Sequence, residues 1–222
     1  MITGLKEYNV SVILTLFNSR NFLNRSVNSV LNQTYRDFEL IIVDDGSTDE
    51  TETELFPLLK ANPDIKYIRH SNRKHPLSLN TGIINSSGKY ITFLDSDDEY
   101  LPEHLFLRVD FMEEFPETDL IYSPALLIGD EKDFYVPDAA DIKKLIHLNE
   151  CIIGGTFFGK RKIFAELQGF RNVYSHDSDF IRRASAKGNY IISKFDELTY
   201  KYYRNNPESI INKMLEHYYD GR

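Results

Sequence analysis

Two acidic runs close two apolar runs. Asp44-Asp45-Gly46-Ser47-Thr48-Asp49 follows Leu40-Ile41-Ile42-Val43, and Asp95-Ser96-Asp97-Asp98-Glu99 follows Tyr90-Ile91-Thr92-Phe93-Leu94. Apolar runs of that length read as buried strands, and the ends of strands border the ligand crevice of an open parallel sheet. Alternate residues of an extended segment point the same way, so Asp95 and Asp97 can face one cavity. Two carboxylates there supply an incomplete oxygen shell, which Mg²⁺ or Mn²⁺ completes with substrate phosphates. The competing role is helix capping, and for Asp98 it is the stronger of the two. In the first run, Ser47 and Asp49 read as turn and cap residues, and Gly46 permits a sharp turn. Capping explains Asp45 poorly, because adjacent like charges repel unless something binds them. Its carboxylate suits a nucleobase N–H or a ribose hydroxyl.

Other residues fall at neighbouring strand ends. Val10-Ser11-Val12-Ile13-Leu14 runs into Thr15-Leu16-Phe17-Asn18. Thr15 can hydrogen-bond a base and Phe17 can stack on it, although Phe17 suits an ordinary core equally well. Arg69-His70-Ser71-Asn72-Arg73-Lys74-His75 is the densest basic stretch. It either meets a diphosphate or forms a solvated loop. Asn80 and Gly82 bring a helix close to ligand or to its neighbours. Gly154-Gly155 is either an approach to a bound sugar or a turn. In His176-Asp177-Ser178-Asp179, an acid at a helix start is favoured whatever its function. The chemical alternative makes Asp177 or Asp179 the general base that deprotonates an attacking hydroxyl.

These residues need a scaffold, and the first hundred positions provide one. Strands are predicted at Val10–Leu14, Leu40–Val43, Ile65–Ile68 and Tyr90–Leu94. Helices are predicted through Leu23 to Leu31, from a Ser47–Glu50 capping box through Leu59, through Leu79 to Asn85, and from Pro102 through Met112. This alternation implies an α/β fold, a Rossmann-like, mostly parallel sheet with helices on both faces. The second half is mixed. Strands are expected at Leu120–Tyr122, Ala125–Ile128, Thr156–Gly159, Ile191–Ile192 and Leu198–Tyr200. Helices are expected near Ile142, Leu145 and Ile146, at Phe180 to Ala184 ending in Gly188, and over Ile210 to Arg222. No linker composition divides the chain. It reads as one domain over 1–222, with a nucleotide-binding half at 1–115 and an acceptor-side half at 116–222.

Bulk properties narrow the classes. The 222 residues carry a net charge of −8 and a pI near 5.3, so a nucleic-acid partner is not expected. A lone cysteine, Cys151, forms no intrachain disulfide and no cysteine-rich zinc site, which points to a reducing compartment. Met1 to Asn9 holds Lys6 and Glu7 and reads as no leader. No apolar run reaches the ~20 residues that span a bilayer. A cytoplasmic protein is expected, at most peripheral to the inner face of a membrane.

Taken together, the segments resemble the large second family of inverting, nucleotide-sugar-dependent glycosyltransferases with the GT-A fold. The similarity runs in order from about Val10 to Leu107. It is carried by Ser29-Val30-Leu31-Asn32-Gln33-Thr34, Glu39 to Asp49, Asn80-Thr81-Gly82, Gly88-Lys89-Tyr90-Ile91 and Phe93 to Asp98. Gly154 to Phe170 looks like the family's acceptor-side segment, and Tyr203-Arg204-Asn205-Asn206 resembles a late Tyr-Arg-x-His motif. The resemblance implies transfer of a sugar from a nucleoside-diphosphate donor, with UDP favoured, to a hydroxyl of a glycan or lipid-linked acceptor. A bacterial surface polysaccharide is one such product. It implies nucleotide contacts from Thr15, Phe17, Asn18, Asp45, Arg73, Asn80, Asp95 and Ser96, with Asp97 on Mn²⁺ or Mg²⁺. Asp177 would be the catalytic base, and Gly155, Tyr203 and Arg204 would touch donor or diphosphate. Three positions depart from the pattern: His176 replaces a Glu, Asn206 a His, and Leu79 an Arg for which Arg73 or Lys74 could substitute. The alternatives are a sugar-phosphate nucleotidyltransferase, whose Gly-rich triphosphate loop is absent here, and a non-catalytic nucleotide-binding member of the fold.

Overall fold

The structure, a computed structural model, describes residues 8–206 together with 209, 211, 212 and 215. Met1 to Glu7 and most of the helix expected from Ile210 to Arg222 lie outside the described residues. The chain runs β1 (Val10–Leu16), α1 (Leu23–Leu31), β2 (Phe38–Asp44), α2 (Thr51–Ala61), β3 (Lys66–Arg69), α3 (His75–Ile84) and β4 (Tyr90–Asp95). It continues through β5 (Glu99–Tyr100), α4 (His104–Glu114), β6 (Leu120–Tyr122), β7 (Leu126–Ile128), β8 (Tyr135–Pro137) and β9 (Leu145–His147). The last elements are β10 (Phe158–Lys160), α5 (Arg161–Glu166), α6 (His176–Lys187), β11 (Ile192–Lys194) and β12 (Tyr200–Tyr203).

Seven strands form the main sheet in the order β11-β6-β10-β4-β1-β2-β3. All its pairings are parallel except those of β10, which runs antiparallel to both β4 and β6. Every residue of β1 is buried, as expected of a strand covered on both faces. Its side chains divide by parity. Val10, Val12, Leu14 and Leu16 join the core beneath α1, α2 and α4, where Leu23, Val27, Leu55, Leu105 and Met112 are buried. Ile13 joins Ile91 and Phe93 in a second core with Leu79 and Ile83 of α3, Phe164 of α5 and Phe180 of α6. A Cβ at Gly82 would strike the Ile13 side chain, so that glycine serves the close packing of α3 on β1. The edge strand β3 is short and carries Lys66 and Arg69, which discourages pairing with another chain.

Connectivity reverses at β1. The chain leaves it towards β2 and β3, then crosses back to β4 on the other side. That reversal opens a crevice past the carboxyl ends of β1 and β4. Register aligns the ends: Thr15 lies opposite both Val43 and Asp95, and Leu16 lies opposite Asp44. Two smaller sheets stand beside this one. One is β5-β12-β7, and the other is the β8–β9 hairpin.

Three local expectations need correction. The Ser47–Glu50 capping box does not form, and α2 starts at Thr51, whose amide is capped by Asp49 at 3.1 Å. Ser47 instead accepts from the Asn18 amide at 2.9 Å. The segment around Leu145 and Ile146 is a strand rather than a helix, paired with Tyr135–Pro137. Residues Gly154–Thr156 make a single 3₁₀ turn, and the strand that follows is Phe158–Lys160. Among the described residues, no helix is long and apolar enough to cross a membrane.

Candidate active site

Asp45 emerges just after β2. Its amide donates to the Leu16 carbonyl at 2.9 Å, which ties the ends of β1 and β2 together. Its carboxylate is buried and accepts from the backbone amides of Arg73 at 2.6 Å and Lys74 at 3.0 Å, with His70 Nδ1 at 3.3 Å. The basic stretch therefore folds over Asp45, and Gly46 allows the close approach, at φ 81°. Asp44 is occupied differently. It accepts from the Ser47 amide at 2.8 Å and from the Tyr67 hydroxyl at 3.0 Å.

Beside it, Thr15 Oγ1 lies 3.4 Å from His75 Nδ1, and the other ring nitrogen of His75 lies 3.5 Å from Asp95. Burial holds the His75 imidazole below its ordinary value, against the opposing fields of Asp97, Asp177 and Asp45. Four carboxylates from three separate segments, Asp45, Asp95 with Asp97, and Asp177, thus converge. Burial raises Asp95 to about 6, and Asp177 pushes in the same direction while His176 opposes it. Asp97 is also raised, by burial and then by Asp95, against a hydrogen bond of 2.8 Å from Asn206 Nδ2. The Arg25 guanidinium donates to the Asp97 carbonyl and stacks over Tyr203, 3.6 Å from the ring centre.

Asp177 sits in the first turn of α6. It accepts from the Ser178 amide at 2.8 Å, the Ser175 hydroxyl at 3.0 Å and the Gly154 amide at 3.2 Å. Asp179 is distinguished from it by its partners. Arg182 reaches Asp179 at 2.6 Å and Arg183 at 2.8 Å, and these ion pairs hold its carboxyl below the usual range despite partial burial. Beneath α6 the rings of Phe93, Phe164, Phe170 and Phe180 pack against one another, which fixes where the helix begins.

Several sequence assignments are redirected by what the side chains touch. Asn80 does not face the crevice: its amide donates to the Phe170 carbonyl and accepts from the Phe170 amide, each at 2.8 Å. The Asn18 carbonyl accepts from the Thr48 amide at 2.8 Å, so Asn18 closes one loop on another. Ser96 bonds Ser19 at 2.6 Å. A Cβ at Gly155 would strike the Tyr200 hydroxyl, which makes that glycine a packing requirement. Tyr203 donates to Glu99 at 2.9 Å. Buried Arg204 donates to the Asp133 carbonyl and to Asn212, each at 2.9 Å. Asp98 caps no helix. It is buried and accepts from the Tyr200 hydroxyl at 2.6 Å and the Tyr203 amide at 2.8 Å. The residues that sequence reasoning passed over are His75, lost within a basic run, and His176 and Asn206, noted only as departures.

A divalent cation fits this donor set. Asp97 and Asp95 offer hard oxygen ligands, and burial pushes both carboxyls upward, an effect that a bound cation reverses. Among the described residues, no group of three or more His, Cys, Asp or Glu is placed to hold a metal alone. One or two carboxylates plus substrate phosphates is the usual holding of Mg²⁺.

The sequence matches the description "Glycosyl transferase family 2" over residues 11–187. An uncharacterized glycosyltransferase of Rickettsia bellii is 44% identical over 110 residues, which is 50% of this chain and 16% of that protein. Another, from Rickettsia prowazekii, is 30% identical over 182 residues, 77% of this chain and 56% of its own length. The glycosyltransferase GlyA of Streptococcus pneumoniae is 27% identical over 170 residues, 77% of this chain and 22% of its own. The chain therefore spans only part of these relatives. Among solved structures, Staphylococcus aureus TarS 1–349 in complex with UDP superposes with a TM-score of 0.70 at 21% identity, covering 90% of this chain and 61% of that one. The mannosyltransferase PcManGT of Pyrobaculum calidifontis, in complex with GDP-Man and Mn²⁺, gives 0.69 at 18% identity, covering 94% and 60%. At those identities the likeness is one of fold.

Proposed function

Since this chain belongs to glycosyl transferase family 2 and has the GT-A type of fold, we propose that it transfers a sugar from a nucleoside-diphosphate donor, UDP-linked, to a hydroxyl acceptor with inversion. The observation that carries this reading is the convergence of Asp45, Asp97 and Asp177 on His75, beside Asp95, at the carboxyl ends of parallel strands. Asp45 is the partner for a ring N–H of the base, held in place by the Arg73 and Lys74 amides, with Phe17 as the stacking surface. Asp95 faces ribose or a metal-bound water. Asp97, steadied by Asn206, is the ligand for Mn²⁺ or Mg²⁺. When bound, the cation neutralises charge developing on the leaving diphosphate.

Asp177 takes the proton of the acceptor hydroxyl as that oxygen bonds to the anomeric carbon, and the bond from that carbon to the diphosphate breaks, releasing UDP. Its three hydrogen bonds orient the carboxylate, and no Arg or Lys pairs with it among the described residues, whereas Asp179 is held by Arg182 and Arg183. The acceptor is expected to be a glycan or lipid-linked glycan.

Isothermal titration of UDP with and without Mn²⁺ tests the site. Wild type should bind UDP more tightly with the metal, and Asp97→Ala should lose that metal-dependent gain. An unchanged gain in Asp97→Ala removes Asp97 from the metal site. Binding without donor turnover would favour the non-catalytic reading.

A further inference from the structure

His176 has no hydrogen-bond partner for its ring among the described residues, in a site where nearly every other polar side chain has one. Its position is nevertheless built. The ring meets the edge of Phe170 at 5.4 Å and 85°, and tilts against His75 at 5.2 Å and 48°. His75 is itself held between Thr15 and Asp95. The two rings therefore form a bridge from the end of β4, where the diphosphate is expected, to the start of α6, where Asp177 waits for the acceptor. In a transfer between those two points, the donor sugar lies alongside that bridge.

Carboxylates dominate this region, and Arg25, which acts on Asp97, is committed to the Asp97 carbonyl and the Tyr203 ring. Besides His176 itself, the charges that act on His75 and Asp95 belong to Asp45, Asp97 and Asp177. Those that act on His176 are its partner histidine, Asp177 and Asp95. No Lys or Arg is among them. Arg182 and Arg183, the next basic residues along α6, are both committed to Asp179, and Arg183 also to the carbonyls of Leu167 and Gly169. A sugar bearing its own carboxylate would meet like charges with no guanidinium to receive it. An imidazole offers one donor and one acceptor, which matches a hydroxyl that is itself both.

We propose that His176, braced by His75 and Phe170, hydrogen-bonds a hydroxyl of the transferred sugar, and that this sugar is uncharged. The inference rests on the nucleotide-sugar reading given above and adds the class of the donor sugar and the residue that reads it.

Donor hydrolysis tests it without an acceptor. UDP-glucose and UDP-N-acetylglucosamine are compared with UDP-glucuronate, in Mn²⁺, for wild type, His176→Ala and His176→Gln. Titration of UDP and GDP alone runs in parallel. Wild type should turn over an uncharged donor at higher kcat/KM than the uronate. On that donor, His176→Ala should lose about tenfold in kcat/KM, the value of one hydrogen bond, with the UDP Kd unchanged, and His176→Gln should recover part of the loss. The inference fails if the uronate is preferred, if His176→Ala leaves kcat/KM intact, or if it weakens bare UDP as much as the donor. A loss shared by both variants together with a lowered Tm would also overturn it, by making His176 a packing residue. If neither bare nucleotide binds wild type, the nucleotide-sugar reading falls first and this inference falls with it. If UDP binds and only the sugar selectivity fails, the nucleotide-sugar reading stands alone.

Discussion

Phe17 is 47% exposed, immediately after the residue whose carbonyl accepts the Asp45 amide. A large ring held in that position contributes nothing to the core, so its removal should be felt only by a ligand. Stacking of a base on an aromatic ring is worth ~1–3 kcal/mol by alanine substitution. Phe17→Ala should therefore weaken UDP by about tenfold and leave the Tm within a degree or so of wild type, as titration and a melting curve will show. Asp177→Asn keeps the shape of the side chain and its acceptor oxygen but removes the base. It should bind UDP normally and lose ~10²–10⁴-fold in transfer, measured as product formed at saturating donor. Transfer at the wild-type rate would place the base elsewhere. The placement of Asp45, Asp95 and Asp97 at strand ends was legible because carboxylates conflict with the buried runs they close, whereas Asp177 stood only at an expected helix start, where an acid is favoured anyway. Asn80 was not legible, because the group that occupies its amide is the backbone of Phe170, ninety residues away. His75 escaped for a similar reason: the residues before it, Ser71 to Lys74, are exposed, whereas carboxylates act on it in space.

At the scale of elements, the sheet is clamped at the end remote from the site. Glu39 on β2 lies in register with Ser11 on β1 and accepts its hydroxyl at 2.6 Å. It also accepts the Ser87 amide at 2.6 Å and hydroxyl at 2.7 Å, and pairs with Lys66 of β3 at 2.6 Å. Burial alone would raise this carboxyl, but these partners outweigh it and leave it below its ordinary 4.5. A folded-state value below the unfolded one adds stability that is complete above 4.5 and is lost as the pH falls through the folded value. Glu39→Gln should therefore cost about 1.5–3 kcal/mol in urea at pH 7, and the gap from wild type should narrow as the pH drops below 4.5. A gap independent of pH would assign the loss to shape rather than charge. UDP affinity should not change. The long strands β1, β2 and β4 were readable because both faces are covered and the apolar run is continuous. The β8–β9 hairpin was not: Ile142, Leu145 and Ile146 recur at i, i+3 and i+4, a helical spacing, yet Leu145 and Ile146 pair across to Pro137 and Val136. Tertiary pairing overrode the local period, and the charged residues between gave no turn signal strong enough to oppose it.

For the whole molecule, the strands do not respect the expected boundary between residues 115 and 116. Strand β10, from the second half, is inserted antiparallel between β4 of the first half and β6. Its residues Phe158 and Gly159 pair with Thr92 and Ile91, and Thr92 Oγ1 donates to the Phe157 carbonyl at 2.8 Å. On the other side, Asp98 anchors Tyr200 and Tyr203 of β12, so the strand that leads to Asn206 hangs from the same loop that carries Asp97. Neither half can leave without stripping a strand from the main sheet and breaking the two hydrogen bonds that Tyr200 and Tyr203 donate to Asp98. Unfolding of the whole chain in urea should then be one transition, with far-UV circular dichroism and the near-UV tyrosine signal coincident, as in two-state domains. A fragment covering 1–115 should fail the same test from the other direction. It retains β1 to β4, but it exposes the edge of β4 and apolar surface of both cores, the first packed by Phe158 and the second by Phe157, Phe164 and Phe180, which favours association over folding. Two separated transitions in the full chain, or a monomeric, cooperatively melting fragment, would show that the first half is a domain in its own right and that the site is assembled between two bodies rather than within one.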